Sequence, residues 1–208
     1  MQNNRLGDDG IAALAEGLPV HLQLLYMDGT SCGDRGMRAM SDVLPSTAIE
    51  CWSCRTNPAV GDDGWRAMAT ALPQLCKLEH LHLESCTVGC SGMALLAPAL
   101  PTAPRLRAFS AGNCGIGDAG IRVLAAHLPM MAQAERCFLL FQDTMSSESR
   151  LVLDEAVTQH STRNNNRPGL TVRYDHHMAR GQPMHTFIDG ADYEEEVLDD
   201  DEYDDMDE

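Results

Sequence analysis

Eight cysteines are the most obvious reactive residues of this 208-residue chain. Cys51 and Cys54 form a C-x-x-C pair, a spacing that occurs in zinc sites and redox motifs. A zinc site would need a second pair of ligands, for which Cys86 and Cys90 are the nearest candidates. On a short strand, residues 51 and 54 would face opposite sides, which argues against a shared metal. We therefore predict no metal site and assign six of the cysteines to core and turn positions, namely Cys32, Cys51, Cys54, Cys86, Cys114 and Cys137.

The histidines form two groups. His80 and His82 are two residues apart, so on a strand their side chains would share one face. There they could contact a ligand or form an ordinary exposed pair. His176, His177 and His185 lie in an irregular stretch whose spacing is not typical of metal ligands. We interpret these three as solvated loop residues.

One glycine pattern resembles a nucleotide-binding fingerprint. Gly115, Gly117 and Gly120 fit G-x-G-x-x-G, whose glycines let a backbone approach a pyrophosphate closely. The same glycines recur elsewhere in the chain at a fixed period, so a structural repeat explains them better. The sequence contains no P-loop and no nucleophile elbow. We predict that the chain has no catalytic residues and no cofactor, and that it is not an enzyme.

A short glycine phrase recurs along the chain. Its five copies are Gly7-Asp8-Asp9-Gly10, Gly33-Asp34-Arg35-Gly36, Gly61-Asp62-Asp63-Gly64, Gly89-Cys90-Ser91-Gly92 and Gly117-Asp118-Ala119-Gly120. Successive first glycines are 26, 28, 28 and 28 residues apart. A proline follows each phrase at a matching distance, at Pro19, Pro45, Pro73, Pro101 and Pro129. Two independent markers with one period indicate a repeat protein.

Each repeat contains a predicted helix and a predicted strand. After each phrase, apolar residues follow at i, i+3 and i+7, as in Met37, Met40 and Leu44, which predicts a helix with one buried stripe. The aspartates of four phrases stand where a helix N-cap carboxylate could accept the first free amides. The prolines would end the helices. Before each phrase, the alternation of Leu78-x-x-Leu81-x-Leu83 predicts a short strand.

The full repeat resembles the leucine-rich-repeat family, in its ribonuclease-inhibitor-like subtype. The resemblance rests on the pattern LxxLxLxx(N/C)xL, seen from Leu78 to Val88 and from Leu106 to Ile116, followed by the glycine phrase and a helix. It covers roughly residues 3 to 160. The family implies an α/β solenoid shaped like a horseshoe, with a parallel inner sheet and outer helices.

We predict two parts of unequal character. Residues 1–174 should form the solenoid, with five repeats and a C-terminal capping unit at about 146–174, where the glycine phrase is missing. The chain begins inside a repeat, so we expect either that the sequence is truncated at this end or that another chain covers it. Residues 175–208 should be irregular and acidic, and disordered in solution. Within them, residues 189–208 hold 13 acidic residues and no Lys or Arg.

Charge and hydrophobicity narrow the possible partners and locations. The net charge is −16, of which the acidic end carries most. Such an end repels phosphate backbones, and the repeats show no basic stripe, so we predict no nucleic-acid partner. The sequence shows no secretory signal and no apolar run long enough to span a membrane. We expect an intracellular, cytoplasmic protein with reduced thiols, with cytoskeletal, ciliary and nuclear locations left open.

The predicted inner face of the sheet is the candidate binding surface. Alternation along each strand places a mixed set of polar and aromatic side chains there, of the kind that suits a protein partner. The candidate contact residues are Tyr26, Glu50, Glu79, His80, His82, Arg107, Arg136 and Phe138.

Two functions follow from these observations. The first is a non-catalytic protein–protein interaction scaffold, as a subunit of a larger cytoskeletal or ciliary assembly. The alternative is a GTPase-activating protein, because Ran GTPase-activating proteins resemble this chain in repeat subtype and acidic end. That resemblance implies an arginine near the N-terminal repeats, where Arg35 and Arg55 lie without a matching motif. The acidic end is either a solubilising tail or a docking segment for a basic protein.

Overall fold

The structure, a computed structural model, describes residues 4–140, 145–164 and 170–173. The chain divides into two units, Met1–His176 and His177–Glu208, and all described residues belong to the first. The α-helices are α1 (Gly7–Ala15), α2 (Asp34–Val43), α3 (Asp62–Ala71), α4 (Gly89–Leu96), α5 (Asp118–His127) and α6 (Ser147–Arg163). The strands are β1 (Leu24–Tyr26), β2 (Cys51–Ser53), β3 (His80–His82), β4 (Ala108–Ser110), β5 (Arg136–Phe138) and β6 (Thr171–Arg173). Strands and helices alternate along the chain, as the repeat predicted.

The six strands form one parallel sheet in sequence order, and the sheet is open. Each strand is aligned with the next without offset, so Leu25 pairs with Trp52 and Trp52 pairs with Leu81. Parallel strands need a crossover, and here each crossover is one helix. The predicted α/β solenoid with a parallel inner sheet and outer helices is confirmed.

The core lies between the sheet and the helices. The central residue of each of the first five strands points into it, and Trp52, Leu81 and Phe109 are 0% exposed. The predicted helix stripe packs against them, and Met37, Met40 and Leu44 are also 0% exposed. Each repeat buries its apolar residues against its own elements and those of its neighbours, so the stability of the stack depends on the junctions between repeats.

The prolines act as predicted, with one detail added. In repeats two, three and five the α-helix runs directly into a single 3-10 turn in which the proline is the second residue, whereas in repeat four α4 ends at Leu96 and the equivalent turn begins at Leu100. These turns are Leu44–Ser46, Leu72–Gln74, Leu100–Thr102 and Leu128–Met130. Proline has no N–H to donate and ends the α-helical pattern there.

The prediction that the repeat aspartates cap their own helices is wrong. The N-cap residues of α2 and α3 are Gly33 and Gly61, and neither helix has a side-chain cap. Asp34 is instead the first residue of α2, and its Oδ1 accepts the amides of Gly61 and Gly64 in the following repeat, at 2.6 and 3.0 Å. Asp34 thus stands one residue after the N-cap position of its own helix. The carboxylate therefore links one repeat to the next.

Asp8 and Asp118 make the same kind of link. Asp8 Oδ1 accepts the amides of Gly33 and Gly36 at 2.7 and 2.9 Å. Asp118 Oδ1 accepts the amide of Ser146 at 2.8 Å and the hydroxyl of Ser149 at 2.7 Å, at the start of α6. These bonds supply acceptors for helix amides that have no partner within their own helix.

Close packing at this junction explains the second glycine of the phrase. A Cβ atom at Gly64 would lie 2.8 Å from Asp34 Oδ1 and 2.6 Å from Val60 Cγ1. Both distances are shorter than real Cβ contacts, so any larger residue would push the two repeats apart.

Helix α6 and strand β6 complete the solenoid. Helix α6 has 17 residues and is capped by Ser146, whose side chain accepts the Ser149 amide. Strand β6 pairs with β5, and α6 and β6 both lie within the segment predicted as the capping unit. The predicted irregular segment at 175–208 lies outside the described residues.

Candidate functional site on the inner sheet

The inner face of the sheet alternates between large and small side chains. The odd strands β1, β3 and β5 present large residues, among them Leu24, which is 55% exposed. The even strands β2 and β4 present small residues that are nearly completely covered, at 0–4% exposure: Cys51, Ser53, Ala108 and Ser110. The large side chains of the odd strands therefore form most of the accessible surface over β1 to β5.

The eight candidate residues lie on the strands of this sheet or directly before them. Five of them, all partly buried, belong to the odd strands: Tyr26, His80, His82, Arg136 and Phe138. The other three directly precede strands β2, β3 and β4: Glu50, Glu79 and Arg107. The role of all eight residues in binding stays a prediction.

The residues that precede the strands form a row of polar contacts across the sheet. Arg107 lies between two carboxylates, and its terminal nitrogens are 2.7 Å from Glu135 Oε1 and 3.6 Å from Glu79 Oε2. The hydrogen bond and the charge of Glu135 raise the pKa of the Arg107 guanidinium. Gln23 donates to Glu50 Oε1 at 3.2 Å. These groups are exposed, so the contacts orient side chains more than they stabilise the fold.

A second polar network runs along the other end of the strands, and the sequence analysis missed it. Arg55 donates through Nε to Glu84 Oε2 at 2.8 Å, and its backbone amide donates to Asp28 Oδ1 at 2.9 Å. Ser53 also donates to Asp28 Oδ1, at 2.6 Å. The side chains of Arg55 and Glu84 are only 14% and 22% exposed. Such a shielded charge pair holds its geometry better than an exposed one.

The network also fixes the orientation of His82. The hydroxyl of Ser110 is 2.7 Å from Glu84 Oε1 and 2.8 Å from His82 Nδ1. A carboxylate only accepts, so Ser110 donates its hydrogen to Glu84, and His82 Nδ1 must then carry a hydrogen and donate to the Ser110 oxygen. In a Ser-His-acid nucleophile the serine donates to the histidine, which is the opposite order. Ser110 is also 1% exposed, so this contact acts in positioning.

The two predicted histidines stack on each other at the middle of the face. The ring centroids of His80 and His82 are 6.2 Å apart, and the ring planes differ by 16°. The rings share one face of β3, as their spacing predicted.

Six of the eight cysteines are buried in core and turn positions, as predicted, while Cys76 and Cys90 are exposed. Cys86 and Cys114 stand where the repeat allows Asn or Cys, and their thiols lie 3.1 Å from the carbonyl oxygens of Cys54 and Leu83. Burial raises the pKa of the Cys86 thiol to about 12 and also raises that of Cys114, so both stay protonated and donate. In the repeats and cap that the structure describes, no three His, Cys, Asp or Glu side chains are placed to hold a metal ion.

The glycines of the apparent nucleotide fingerprint have structural roles. Gly115 has φ +64°, a conformation that favours glycine. A Cβ atom at Gly120 would lie 2.8 Å from Ile116 Cγ2 and 3.2 Å from Cys90 Cα, so this glycine lets α5 pack against α4. Backbone geometry and packing account for the pattern.

The two arginines considered for GTPase activation lie in different places. Arg35 is exposed on α2 and forms an ion pair with Asp9. Arg55 belongs to the shielded network just described. An arginine that enters a GTPase active site must be free to extend, and the bond of Arg55 to Glu84 opposes that movement.

The outer helices form a groove of their own. It lies between α2 and α3, and its lining includes Arg38, Asp42 and Arg66. The Ser41 hydroxyl, in a residue that is 4% exposed, has no hydrogen-bond partner among the described atoms. The charges that line the groove are mixed, and Arg66 is already paired with Asp63 at 2.5 Å.

Within the described helices, none is long and apolar enough to cross a membrane.

Comparisons with known proteins support the fold. A scan against models of protein families gives no match, and a search of curated proteins gives none either. Among solved structures, actin-binding site 2 of leiomodin-1 is similar to this chain, with a TM-score of 0.61 and 13% identity over 76% of this chain and 91% of that one. A complex of Rad7 and Elc1 from yeast matches with a TM-score of 0.36 and 11% identity over 80% and 77%. The leiomodin-1 similarity supports the leucine-rich-repeat type of solenoid, and at this identity it shows the fold alone.

Proposed function

We propose that the chain is a non-catalytic scaffold of the ribonuclease-inhibitor-like repeat subtype, and that it binds a protein partner on the inner face of its sheet. The observation that carries the proposal is the single surface formed by the odd strands. The odd strands carry its aromatic, imidazole and guanidinium groups, and the even strands between them carry only small, buried residues. Hydrogen bonds at both ends of the strands hold this surface in place, and a preorganised surface loses less entropy on binding.

The composition of the surface fits a protein partner better than a small molecule or a nucleic acid. It includes Tyr26, Phe138 and Arg136, which are residue types enriched in protein interfaces. Carboxylates interrupt its basic groups, which disfavours a phosphate backbone as ligand. A protein partner also agrees with the intracellular location proposed from the sequence.

The test compares two double variants of the full chain in quantitative affinity purification from the native cell. Tyr26→Ala with Phe138→Ala changes the inner face, and Met130→Ala with Leu151→Ala changes exposed apolar residues away from it, at 46% and 69% exposure. We expect the first variant to lose at least tenfold of a protein that the wild type and the second variant retain, as loss of central contacts produces. Equal retention by both variants would contradict the proposal.

Actin is the first specific partner to test, because the solved structure with the similar fold is an actin-binding site of leiomodin-1. If actin is the partner, the chain would act as a subunit of a cytoskeletal assembly. Co-sedimentation with filamentous actin measures this directly, and we expect pelleting that the Tyr26→Ala and Phe138→Ala changes reduce. If the wild-type chain stays in the supernatant, actin is rejected and the scaffold proposal stands.

GTPase activation remains the alternative from the enzyme-regulating class. A single-turnover GTP hydrolysis assay with Ran and other small GTPases separates it from the scaffold. We expect no acceleration, because Arg55 is held by Glu84. An acceleration that the Arg35→Ala or the Arg55→Ala change abolishes would replace the scaffold proposal with the alternative.

A further inference from the structure

The inner face carries opposite charges at its two ends. We define its acidic half as strands β1–β3 with the charged residues next to them, which are Asp28, Glu50, Arg55, Glu79 and Glu84. Four carboxylates and one guanidinium give this half a net charge of −3. The basic half is strands β4–β6 with the described charged residues on or next to them, which are Arg107, Glu135, Arg136 and Arg173. Three guanidinium groups and one carboxylate give it a net charge of +2.

The charge of the basic half comes mainly from two arginines. Arg107 is compensated by the carboxylates on its two sides. Arg136 and Arg173 form no ion pair with any residue that the structure describes. They lie on neighbouring strands, and Arg173 pairs in register with Phe138, so an apolar ring stands beside the two cations.

The two halves are far enough apart to act separately on a partner. Strands in a sheet are spaced about 4.8 Å, so β2 and β5 lie roughly 14 Å apart along the face. The screening length at physiological salt is about 8 Å. A side chain over one half therefore senses the charge of that half more than that of the other.

We propose that the inner face binds a bipolar, amphipathic segment of a partner protein, with the basic end of the segment over β1–β3 and its acidic end over β4–β6. The inference rests on the proposed function and adds the chemistry and direction of the partner. Tyr26 in the acidic half and Phe138 in the basic half supply one apolar contact each. Complementary charge order fixes the direction of binding and excludes segments of uniform charge.

The dimensions of the face set the length of the segment. Six strands span about 24 Å, which a helix of about 16 residues covers at 1.5 Å per residue. A suitable probe is therefore a pair of synthetic helical peptides of about 16 residues with the same numbers of Lys, Glu, Leu and Ala. The block peptide has its lysines in one half and its glutamates in the other, while the mixed peptide alternates them. Only the order of charge differs between them.

The first measurement is the affinity of the full-length chain for both peptides at low and at physiological salt. We expect the block peptide to bind about tenfold more tightly than the mixed peptide, with a difference that shrinks as salt rises. Equal affinities at low salt would overturn the inference, since the net charges of the two peptides are identical.

The second measurement places the effect on the surface. Arg136→Glu with Arg173→Glu should abolish the preference for the block peptide. The matched control is Arg38→Glu with Arg66→Glu on the outer helices α2 and α3, which changes the net charge by the same amount and should leave the preference intact. Thermal unfolding followed by circular dichroism verifies that both variants are folded. Equal loss in both variants would overturn the inference.

The two proposals fail in different ways. If Tyr26→Ala with Phe138→Ala removes the cellular partner but the block preference is absent, the charge order is rejected and the scaffold stands. If neither effect is found, the inner face is not the binding surface and both proposals fall.

Discussion

The junction between the second and third repeats is chemically different from the junction between the fourth and fifth, although both follow one 28-residue period. In the first, the Asp34 carboxylate accepts two amides of the next repeat, at 2.6 and 3.0 Å. In the second, Cys90 takes the position of Asp34 in the phrase. A carboxylate is a strong acceptor, whereas a thiol is a weak donor and a weak acceptor.

The turn after the strand shows the same contrast. Asn57 is 0% exposed, and its Nδ2 donates to the carbonyl oxygens of Met27 and Cys54, both at 2.9 Å. Its Oδ1 accepts the Cys32 amide at 3.0 Å. At the equivalent position, Cys114 reaches the carbonyl oxygens of Leu83 and Gly112 through one sulfur, at 3.1 and 3.4 Å.

The contrast separates what the repeat geometry requires from what stabilises it. The backbone turn accepts either Asn or Cys, because both side chains fill one small space and reach equivalent carbonyl groups. The strength of the coupling between repeats then depends on which residue is present. In a solenoid, stability is close to a sum of repeat and junction contributions. We therefore expect the second and third repeats to be held together more firmly than the fourth and fifth.

The largest effect should come from Asn57→Ala. The change removes a donor from the buried Met27 and Cys54 carbonyl groups and leaves the buried Cys32 amide without its acceptor, which costs about 3 kcal/mol of unfolding free energy. Cys114→Ala removes a single weak donor and should cost about 1 kcal/mol. Urea unfolding of both variants gives the two values. A loss at Cys114 equal to that at Asn57 would remove the distinction between the two junctions.

Asp34→Ala should have the next largest effect. Two amides at the start of α3 lose their acceptor, which costs about 1–2 kcal/mol, as for other lost helix caps. Hydrogen exchange should accelerate at the Gly61 and Gly64 amides in particular. The control is Asp63→Ala, which removes an exposed carboxylate of the third repeat's phrase that pairs with Arg66 and should change stability little. Unchanged exchange at both glycines would show that the link is not formed in solution.

Cys90→Asp should strengthen the weaker junction. It places a carboxylate where the first, second and fifth repeats use one to join the next unit, and we expect a gain of about 1 kcal/mol or less. Cys76→Asp is the control, because Cys76 is also exposed but lies in a loop. A gain in the urea midpoint for Cys90→Asp alone would show that the carboxylate is sufficient. A loss would mean that the junction between the fourth and fifth repeats also differs from the other junctions in backbone geometry.

Most of the fold was predictable because its determinants recur in sequence. The period, the buried stripe of Met37 and Met40, and the central strand residues follow from local spacing alone. The role of Asp34 was not predictable in this way. Its hydrogen-bond partners lie 27 and 30 residues away, so only the assembled stack shows that the carboxylate caps a neighbouring helix.

The candidate site was predictable to the same extent. Strand alternation placed His80, His82 and Phe138 on one face because side chains two apart point the same way. The network of Asp28, Arg55 and Glu84 was missed because these residues lie beyond the ends of the strands, where alternation gives no information. Their shared offset of two residues after successive strands was a usable signal, since an in-register stack brings equivalent positions together.

The smallest expected effect is a pH dependence at the last junction. The Ser146 amide and the Ser149 hydroxyl both donate to Asp118, and they lower the pKa of its carboxyl group in the folded chain. A carboxyl group whose pKa is lower when folded stabilises the fold above its unfolded pKa, and this contribution is lost as the pH falls through the folded value. The Asp118→Asn variant cannot ionise, so it should be less stable than the wild type near pH 7. The difference should shrink as the solution is acidified toward about pH 3. Urea unfolding at several pH values measures this difference, and a constant gap between the two proteins would show that ionised Asp118 does not couple the fifth repeat to α6.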